Sequence, residues 1–151
     1  MVKVGVVGYG YWGPNLVRKL FEVSETQVVA VSDMREDRLQ QVKSRYPSVE
    51  VTTDFRQLLN NPEIDAIAIA TPVSTHYDLA LQALQSGKHV MVEKPMTSSS
   101  EQALHLIEEA ARRKLTLLVD HTFVYTGAVR KIKEIADSGK LGDILYYDST
   151  R

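Results

Sequence analysis

The sequence predicts an α/β fold in which a doubly wound, mostly parallel sheet carries helices on both faces. Short apolar runs typical of buried strands alternate with segments whose apolar residues recur at helical spacing. No internal repeat, low-complexity tract or flexible linker interrupts this alternation. Right-handed crossovers then bring the successive strands into one sheet. A chain of 151 residues is long enough for one domain that buries roughly 70% of its extended-chain surface.

The predicted strands are rich in β-branched or small apolar residues. The run from Ile64 to Ala70 is almost continuously apolar, which is typical of a strand covered on both faces. Glycine, aspartate or proline ends several of these runs and marks a turn. The predicted strands are Val2–Val7, Gln27–Ser32, Val49–Val51, Ile64–Ala70, His89–Val92, Leu115–Val119 and Gly142–Arg151.

The predicted helices each carry an apolar face and a start or stop signal. Pro14 stands near the start of the first, where its missing N–H costs little, and Gly87 follows the fourth where positive φ is needed. Thr53 or Asp54, and a serine between 98 and 100, can cap two others. The residues expected to face inward are Leu16, Val17, Leu20, Phe21, Leu39, Val42, Tyr46, Phe55, Leu58, Leu59, Leu79, Ala80, Ala83, Leu84, Ala103, Leu104, Ile107, Ala110, Ala111, Val129, Ile132, Ile135 and Ala136.

Composition and charge narrow the classes of partner. The formal net charge is −1, which argues against a nucleic-acid partner held by a broad basic surface, and no run of Lys or Arg suggests otherwise. No apolar stretch reaches the roughly 18–20 residues of a membrane span, and the N-terminus does not resemble a signal peptide. The chain has no cysteine, so disulfides and thiolate chemistry are excluded. These features favour a cytoplasmic protein without nucleic-acid or membrane partners.

A glycine-rich turn directly follows the first predicted strand. Gly8, Gly10 and Gly13 fit the pattern G-x-G-x-x-G. The first glycine permits a tight turn, the second lets the backbone approach a pyrophosphate, and the third lets a helix pack against the strand. The N-terminus of that helix presents free N–H groups to the phosphates. Because the motif is common by itself, its meaning depends on the residues that lie beside it.

Three further segments are expected at the same edge of the sheet. In a doubly wound sheet the first and fourth strands are neighbours, and ligands bind there beyond the carboxyl ends of the strands. Asp33 ends the second strand, 20 residues beyond Gly13. A carboxylate at this position can accept hydrogen bonds from both hydroxyls of an adenine ribose, and it repels a 2′-phosphate. Thr71-Pro72 and Glu93-Lys94-Pro95 follow the fourth and fifth strands. Together they predict a Rossmann-type dinucleotide site that prefers NAD to NADP. Arg35, two residues beyond Asp33, makes this preference moderate, because an arginine there can also bind the 2′-phosphate of NADP.

Several of these residues also have an interpretation without a ligand. Asp33 could instead be the N-cap of the following helix. Thr71-Pro72 could simply end a strand, and Lys94 could be an ordinary surface lysine.

Nearby histidines and aromatic residues leave two interpretations open. His76 is either a residue of the first helical turn or a ligand contact, and His121 follows the sixth strand with the same ambiguity. Tyr11 and Trp12 suit packing against a cofactor as well as packing at the helix start.

Other enzyme classes lack their motifs in this sequence. The P-loop pattern G-x-x-x-x-G-K-[S/T] and the G-x-S-x-G elbow are absent. None of the seven tyrosines begins the Tyr-x-x-x-Lys pair of short-chain dehydrogenases. His105 and Glu108 share a helix face, but two such groups do not make a metal site, so no metal is expected.

Together these motifs resemble the glucose–fructose oxidoreductase / inositol dehydrogenase (Gfo/Idh/MocA) family. The resemblance covers essentially the whole chain, and its last run is the most specific part. Two shorter stretches, Tyr9–Arg18 and His121-Thr122-Phe123, look most like bacterial members that oxidise nucleotide-linked sugars. The motifs that carry the resemblance are Gly8-Tyr9-Gly10-Tyr11-Trp12-Gly13, Asp33, Ala70-Thr71-Pro72 with His76, and Gly87-Lys88-His89-Val90 leading to Glu93-Lys94-Pro95.

The resemblance implies reversible hydride transfer between a nicotinamide and a hydroxyl-bearing carbon of a sugar, nucleotide-sugar or cyclitol. Lys94 is the implied catalytic residue, because its charge can orient the alcohol and stabilise negative charge that develops on oxygen. Lys94 and His121 are the implied substrate contacts, and the Lys94–Pro95 bond is a candidate cis peptide. The residues implied to bind NAD are Gly8, Gly10, Tyr11, Trp12, Gly13, Asp33, Met34, Thr71, Pro72, His76, Glu93 and Lys94.

The resemblance also predicts how the chain divides. Residues 1–142 would form the NAD-binding Rossmann domain, and residues 143–151 would start the first strand of a substrate domain that is otherwise absent. An unpaired strand invites pairing, so a homo-oligomer formed through Ile144–Tyr147 is expected. The chain would then be the cofactor-binding part of a dehydrogenase and inactive alone. The alternative is a stand-alone, non-catalytic dinucleotide-binding or sensing module.

Overall fold

A six-stranded parallel sheet forms the centre of the first of two compact units in the computed structural model, which describes residues 1–150. All five neighbouring strand pairs are parallel. The predicted α/β fold is therefore confirmed, with a sheet that is wholly parallel. The strands are β1 (Val2–Val7), β2 (Thr26–Ser32), β3 (Glu50–Thr52), β4 (Ala66–Ile69), β5 (His89–Val92) and β6 (Leu117–Val119), in the spatial order β3-β2-β1-β4-β5-β6.

Helices connect these strands and cover both faces of the sheet. One buried cluster packs α1 and α2 against the sheet, and a second packs α3, α4 and α5 against it. No helix among the described residues is long and apolar enough to span a membrane. The helices of this first unit are α1 (Gly13–Glu22), α2 (Glu36–Arg45), α3 (Phe55–Asn60), α4 (His76–Gln85) and α5 (Ser100–Arg113).

Local capping signals set several helix ends as predicted. The Asp54 carboxylate accepts the Arg56 N–H at 3.0 Å and begins α3, and the Ser99 hydroxyl accepts the Gln102 N–H at 3.3 Å and begins α5. Gly87, with φ of +78°, follows α4. These caps satisfy backbone groups that the helix ends leave free.

The buried face of α5 differs from the predicted one. Leu104 and Ile107 were expected inside, yet their side chains are 59% and 51% exposed, and Ala111 is exposed as well. Leu106 and Glu109 are buried instead. Two arginines on the next helical turn pair with the Glu109 carboxylate, which allows a charged residue to occupy the inner face. Apolar spacing alone cannot anticipate that arrangement.

The second unit begins at His121 and contains helix α6 (Gly127–Asp137). Thr126 caps this helix by accepting the Val129 N–H. The predicted inward face of α6 is wrong, because Val129, Ile132 and Ile135 are 36%, 50% and 37% exposed. A single helix needs a second layer to cover its apolar face, and this unit has no strand or second α-helix among its described residues.

Residues 143–150 form no strand in the structure. The predicted strand Gly142–Arg151 differs from this result, and its last residue lies outside the described part of the chain. A strand is defined by its hydrogen bonds to a neighbouring strand, and the sheet of the first unit ends at β6. The division of the chain into residues 1–142 and 143–151 stays a prediction.

The contrast between Ile67 and Leu118 tests where the core lies. Ile67 in β4 is fully buried, whereas Leu118 in β6 is 45% exposed. We expect Ile67→Ala to lower the free energy of unfolding by about 2–5 kcal/mol, because it removes buried methyl groups and leaves a cavity. Leu118→Ala should cost less than about 2 kcal/mol, because its side chain remains partly in water. Urea unfolding measures both losses, and equal losses would contradict this placement of the core.

Candidate functional site

The carboxyl ends of β1, β2, β4 and β5 lie at one edge of the parallel sheet. Strand β1 lies between β2 and β4, so the turn after β1 is flanked by the residues that follow those two strands. The Gly8 N–H donates to the Ser32 carbonyl, and the Ala70 N–H donates to the Val7 carbonyl, each at 2.8 Å. The glycine turn, Asp33 and the segment after β4 are therefore neighbours, as the sequence predicts.

Two of the three motif glycines have no room for a side chain. Gly8 has a φ of +93°, and a Cβ on it would lie 2.7 Å from the Ala70 carbonyl oxygen. A Cβ on Gly13 would lie 2.3 Å from the Gly8 carbonyl oxygen. A Cβ on Gly10 would stand 3.4 Å from Nη1 of Arg38, which a flexible side chain tolerates. The fold therefore requires glycine at 8 and 13, whereas at Gly10 the nearest neighbour is the flexible Arg38 side chain.

Asp33 joins the glycine turn to the end of β2. Asp33 is 8% exposed, and its carboxylate accepts hydrogen bonds from the Tyr9 N–H on Oδ2 at 2.7 Å and from the Arg35 N–H on Oδ1 at 2.9 Å. Arg38 donates from Nη1 to Oδ2 at 3.3 Å. Because α2 begins at Glu36 with Arg35 in the N-cap position, the alternative that Asp33 is the N-cap is wrong.

The bonds already made by Asp33 limit how it can hold a ribose. A carboxylate has about four acceptor positions, and the donors named above occupy three of them. One position is left for a ribose hydroxyl while Arg38 keeps its bond, and a second is freed when that bond is given up. The charge of Arg38 also offsets the repulsion that Asp33 exerts on a phosphate.

Arg38 is a site residue that the sequence interpretation missed. Arg35 was considered instead, but its guanidinium pairs with the Asp37 carboxylate at 2.7 Å and 3.0 Å and is 60% exposed. Arg38 lies in the first turn of α2, half-buried between Asp33 and the open side of Gly10. Its position in the first turn of the helix that follows Asp33 is a signal that could have found it.

Buried His76 joins the loops that follow β4 and β5. Its side chain is 1% exposed; Nε2 lies 2.8 Å from the Thr71 carbonyl oxygen and Nδ1 lies 2.9 Å from the Pro95 carbonyl oxygen. His76 was expected to line the path to the nicotinamide. With both ring nitrogens engaged, it holds the two loops that would line that path and has no polar atom left for a ligand.

Glu93 and Asp120 are neighbouring carboxyl groups at the same edge. Strands β5 and β6 pair Val92 with Val119, so the next residue of each strand lies beside the other. Burial, followed by the charge of Asp120 and a hydrogen bond with it, raises the pKa of Glu93 above its ordinary value, against the opposing effect of Lys94. Asp120 is a second residue that sequence reasoning missed, because the register of β6 was needed to place it.

The remaining predicted contacts present exposed side chains. Lys94 is exposed, and its bond to Pro95 is cis, which confirms that prediction. Tyr11, Trp12 and Met34 are 87%, 46% and 91% exposed around the glycine turn. Tyr11 and Trp12 meet edge to face, with ring centroids 5.5 Å apart. Exposed apolar side chains beside a polar turn are typical of a ligand-binding surface.

Two further predictions concern His121 and metals. His121 begins the second unit, so its contact with substrate stays a prediction.

Among residues 1–150, no group of three or more His, Cys, Asp or Glu is arranged to hold a metal ion.

Three features define the class: the parallel sheet, the turn with no room for a Cβ at Gly8 or Gly13, and the adjoining carboxylate. They are the features of a Rossmann domain with a dinucleotide-binding turn. The residues fit that group, because the atoms nearest to a Cβ on Gly10 belong to the flexible Arg38 side chain and no side chain caps the start of α1. The chain belongs to the Gfo/Idh/MocA family, described as "Oxidoreductase family, NAD-binding Rossmann fold", which matches residues 2–121.

Relatives and solved structures agree with this assignment. The chain is 32% identical over 146 residues (97% of the chain and 40% of the relative) to scyllo-inositol 2-dehydrogenase (NADP(+)) IolW of Bacillus subtilis. Its fold matches apo scyllo-inositol dehydrogenase from Lactobacillus casei, with a TM-score of 0.86, 27% identity and coverage of 95% and 43%. It also matches the Y186F mutant of KijD10, a 3-ketoreductase from Actinomadura kijaniata in complex with TDP-benzene and NADP, with a TM-score of 0.85, 29% identity and coverage of 95% and 44%. The chain thus spans about two fifths of the length of these proteins.

Gly13→Ala tests the close packing of the turn. The new methyl group would meet the Gly8 carbonyl oxygen at 2.3 Å, so the turn must open and its N–H groups must move. We expect NADH binding to this chain to weaken by more than about tenfold, the loss of about one charge-assisted hydrogen bond. The fluorescence of Trp12, the one tryptophan, measures the titration.

Gly127→Ala is the matched control for this change. A Cβ on Gly127 meets nothing within 4 Å, and its φ is not positive. NADH binding should therefore stay within about twofold of the original chain. Equal binding by both variants and the original chain would contradict the assignment of the turn.

Proposed function

We propose that this chain is the cofactor-binding part of an NAD-dependent dehydrogenase that acts on a sugar, nucleotide-sugar or cyclitol. The observation that carries the proposal is the turn from Gly8 to Gly13, packed against Ala70 and bonded to Asp33. The names of an inositol dehydrogenase and a 3-ketoreductase among its relatives support the substrate class. Those relatives are more than twice as long as this chain, so the complete activity is proposed for a protein that carries this domain with further residues.

Different residues of the turn and its neighbours would bind different parts of the nucleotide. The backbone N–H groups between Gly10 and the start of α1 at Gly13 would hold the pyrophosphate, because a helix N-terminus attracts negative charge. The Asp33 carboxylate would accept a hydrogen bond from a hydroxyl of the adenine ribose. Tyr11 and Trp12, both exposed at the turn, would pack on the cofactor. The bound nicotinamide supplies the hydride acceptor or donor.

Lys94 and Glu93 occupy the nicotinamide side of the edge. The exposed Lys94 ammonium would donate a hydrogen bond to the substrate oxygen and stabilise the negative charge that develops there during hydride transfer. Burial and the neighbouring Asp120 raise the pKa of Glu93 above its ordinary value, and a carboxyl group can donate as well as accept a hydrogen bond when it is protonated. A group of that kind suits a ribose hydroxyl of the nicotinamide half.

NAD is the proposed cofactor, with a modest preference over NADP. Asp33 favours a free 2′-hydroxyl, because two carboxylate oxygens accept hydrogen bonds and repel a phosphate. Arg38 works in the opposite direction, since its guanidinium is beside Asp33 and can donate to a 2′-phosphate. The names of two relatives include NADP, which supports a site that admits both cofactors.

Arg38→Gln tests this balance of charges. Loss of the guanidinium leaves the Asp33 carboxylate without its ion pair, so NADPH affinity should fall about tenfold or more, while NADH affinity changes much less. The measurement is a paired titration of the chain with NADH and NADPH.

Arg35→Gln is the control for this prediction. Arg35 is equally charged but pairs with Asp37 on an exposed surface, so both affinities should stay within about twofold. A larger effect of Arg35→Gln on NADPH than that of Arg38→Gln would show that the wrong arginine has been assigned.

Lys94→Met tests the catalytic role in a protein that carries this domain together with a substrate domain. Removing the ammonium should lower kcat by about 10²-fold or more, because charge on the substrate oxygen is then unsupported. NADH affinity should change little. Lys19→Met, at a surface lysine paired with Glu22, serves as the control, and an unchanged kcat in Lys94→Met would remove Lys94 from the site.

Two broader proposals concern assembly and location. The apolar segment Ile144–Tyr147, whose side chains are 57% to 93% exposed, is the proposed surface for self-association. Light scattering tests this proposal, and a monomer at high concentration would contradict it. The cytoplasmic location stays a prediction from composition.

A further inference from the structure

The ring of His76 lies between two carbonyl oxygens that belong to different loops. Nε2 is 2.8 Å from the Thr71 oxygen, in the segment after β4, and Nδ1 is 2.9 Å from the Pro95 oxygen, in the segment after β5. The side chain is 1% exposed. Water therefore has almost no access to the ring, and these two oxygens are the partners that its nitrogens have.

The hydrogen bonds decide which form of the ring suits this position. A neutral imidazole has one N–H donor and one acceptor nitrogen, whereas the imidazolium has two donors. A carbonyl oxygen accepts and cannot donate. In either neutral tautomer, one ring nitrogen would therefore present its lone pair to the lone pairs of a carbonyl oxygen at hydrogen-bonding distance, inside the protein where such repulsion is weakly screened. Only the imidazolium satisfies both contacts.

We propose that His76 is a positively charged positioning residue whose imidazolium donates one N–H to Thr71 and one to Pro95. It thereby fixes the loop that begins at Thr71 relative to the loop that carries Lys94. The inference rests on the proposed function, because those loops are the ones assigned to the nicotinamide and the substrate hydroxyl. His76 acts through them and does not touch the cofactor.

The elements that His76 joins carry few other charges. Asp78 on α4 is exposed, and Glu93 and Lys94 at the end of β5 are half-buried and exposed, respectively. Tyr77 is the remaining titratable neighbour on α4, and its hydroxyl is engaged with His105 at 2.6 Å. The two carbonyl dipoles are thus the direct support for the charge on the His76 ring, as charge-assisted hydrogen bonds require.

His105 offers a matched comparison within the same chain. Its ring is exposed, and its Nδ1 faces the Tyr77 hydroxyl, a group that can donate as well as accept. A neutral ring satisfies that contact fully. The two histidines therefore differ in the feature that the proposal depends on, namely the number of obligatory acceptors that face the ring.

The direct experiment is NMR of this chain with ¹⁵N-labelled histidine at neutral pH. We expect correlations that show a proton on both ring nitrogens of His76, and a single ring N–H or fast exchange for His105. His76→Gln assigns the signals by difference. A His76 ring with one protonated and one bare nitrogen would overturn the proposal. If His76→Gln does not fold, the variants His89→Gln, His105→Gln and His121→Gln assign the other three histidines of the chain and leave His76 by elimination.

A binding experiment tests the positioning role. NADH affinity of the original chain should fall about tenfold when the pH is raised until the His76 ring loses its second proton, as followed by the same NMR signals. His76→Gln should bind NADH more weakly at neutral pH and lose that step in the pH profile, while His105→Gln keeps it. A step retained in His76→Gln would overturn the role of His76. If the original chain binds no NADH at any pH, the proposed function fails, whereas the NMR result still decides the charge on the ring.

Discussion

The close approach of the glycine turn to its neighbours is the constraint on which the rest of this edge depends. Gly8 touches the Ala70 carbonyl, and Gly13 touches the Gly8 carbonyl, at distances that exclude any Cβ. This packing aims the Tyr9 N–H at the Asp33 carboxylate, 2.7 Å away and shielded from water. A short, buried, charge-assisted hydrogen bond of this kind is among the stronger ones available to a backbone N–H. It locks β1, β2 and the turn together before any ligand arrives.

The two halves of the candidate site are organised by different means. On the proposed adenosine side, Asp33 is shared between the turn and Arg38, so one ribose hydroxyl can bind beside the ion pair and a second only when Arg38 gives up its bond. On the nicotinamide side, His76 spans the gap between the loops after β4 and β5. In both arrangements, hydrogen bonds within the chain hold the buried side chain in place. Preorganisation of this kind lowers the ordering cost that a ligand would otherwise meet.

Much of the fold could be predicted from the sequence because its signals are local. Apolar runs with turn residues at their ends located the six strands of the sheet, and capping residues located two helix starts. Several residues of the candidate site were predicted because they directly follow a strand, as Asp33 and Glu93 do. Prediction failed where apolar spacing is not the deciding feature: Glu109 lies on the buried face of α5 with two arginines of the next helical turn paired to it, and α6 keeps an exposed apolar face because its unit has no second layer among the described residues. Arg38 and Asp120 escaped notice because helix phase and strand register, rather than motif, place them beside the site.

The central claim is that the glycine turn binds the pyrophosphate and that Asp33 binds the adenine ribose. A crystal structure of this chain with NADH tests it most directly. The account predicts phosphate oxygens within hydrogen-bonding distance, about 2.7–3.2 Å, of N–H groups between Gly10 and the start of α1, and a ribose hydroxyl on Asp33. Nucleotide density elsewhere on the molecule, with the turn and the Asp33–Arg38 pair unchanged, would contradict it.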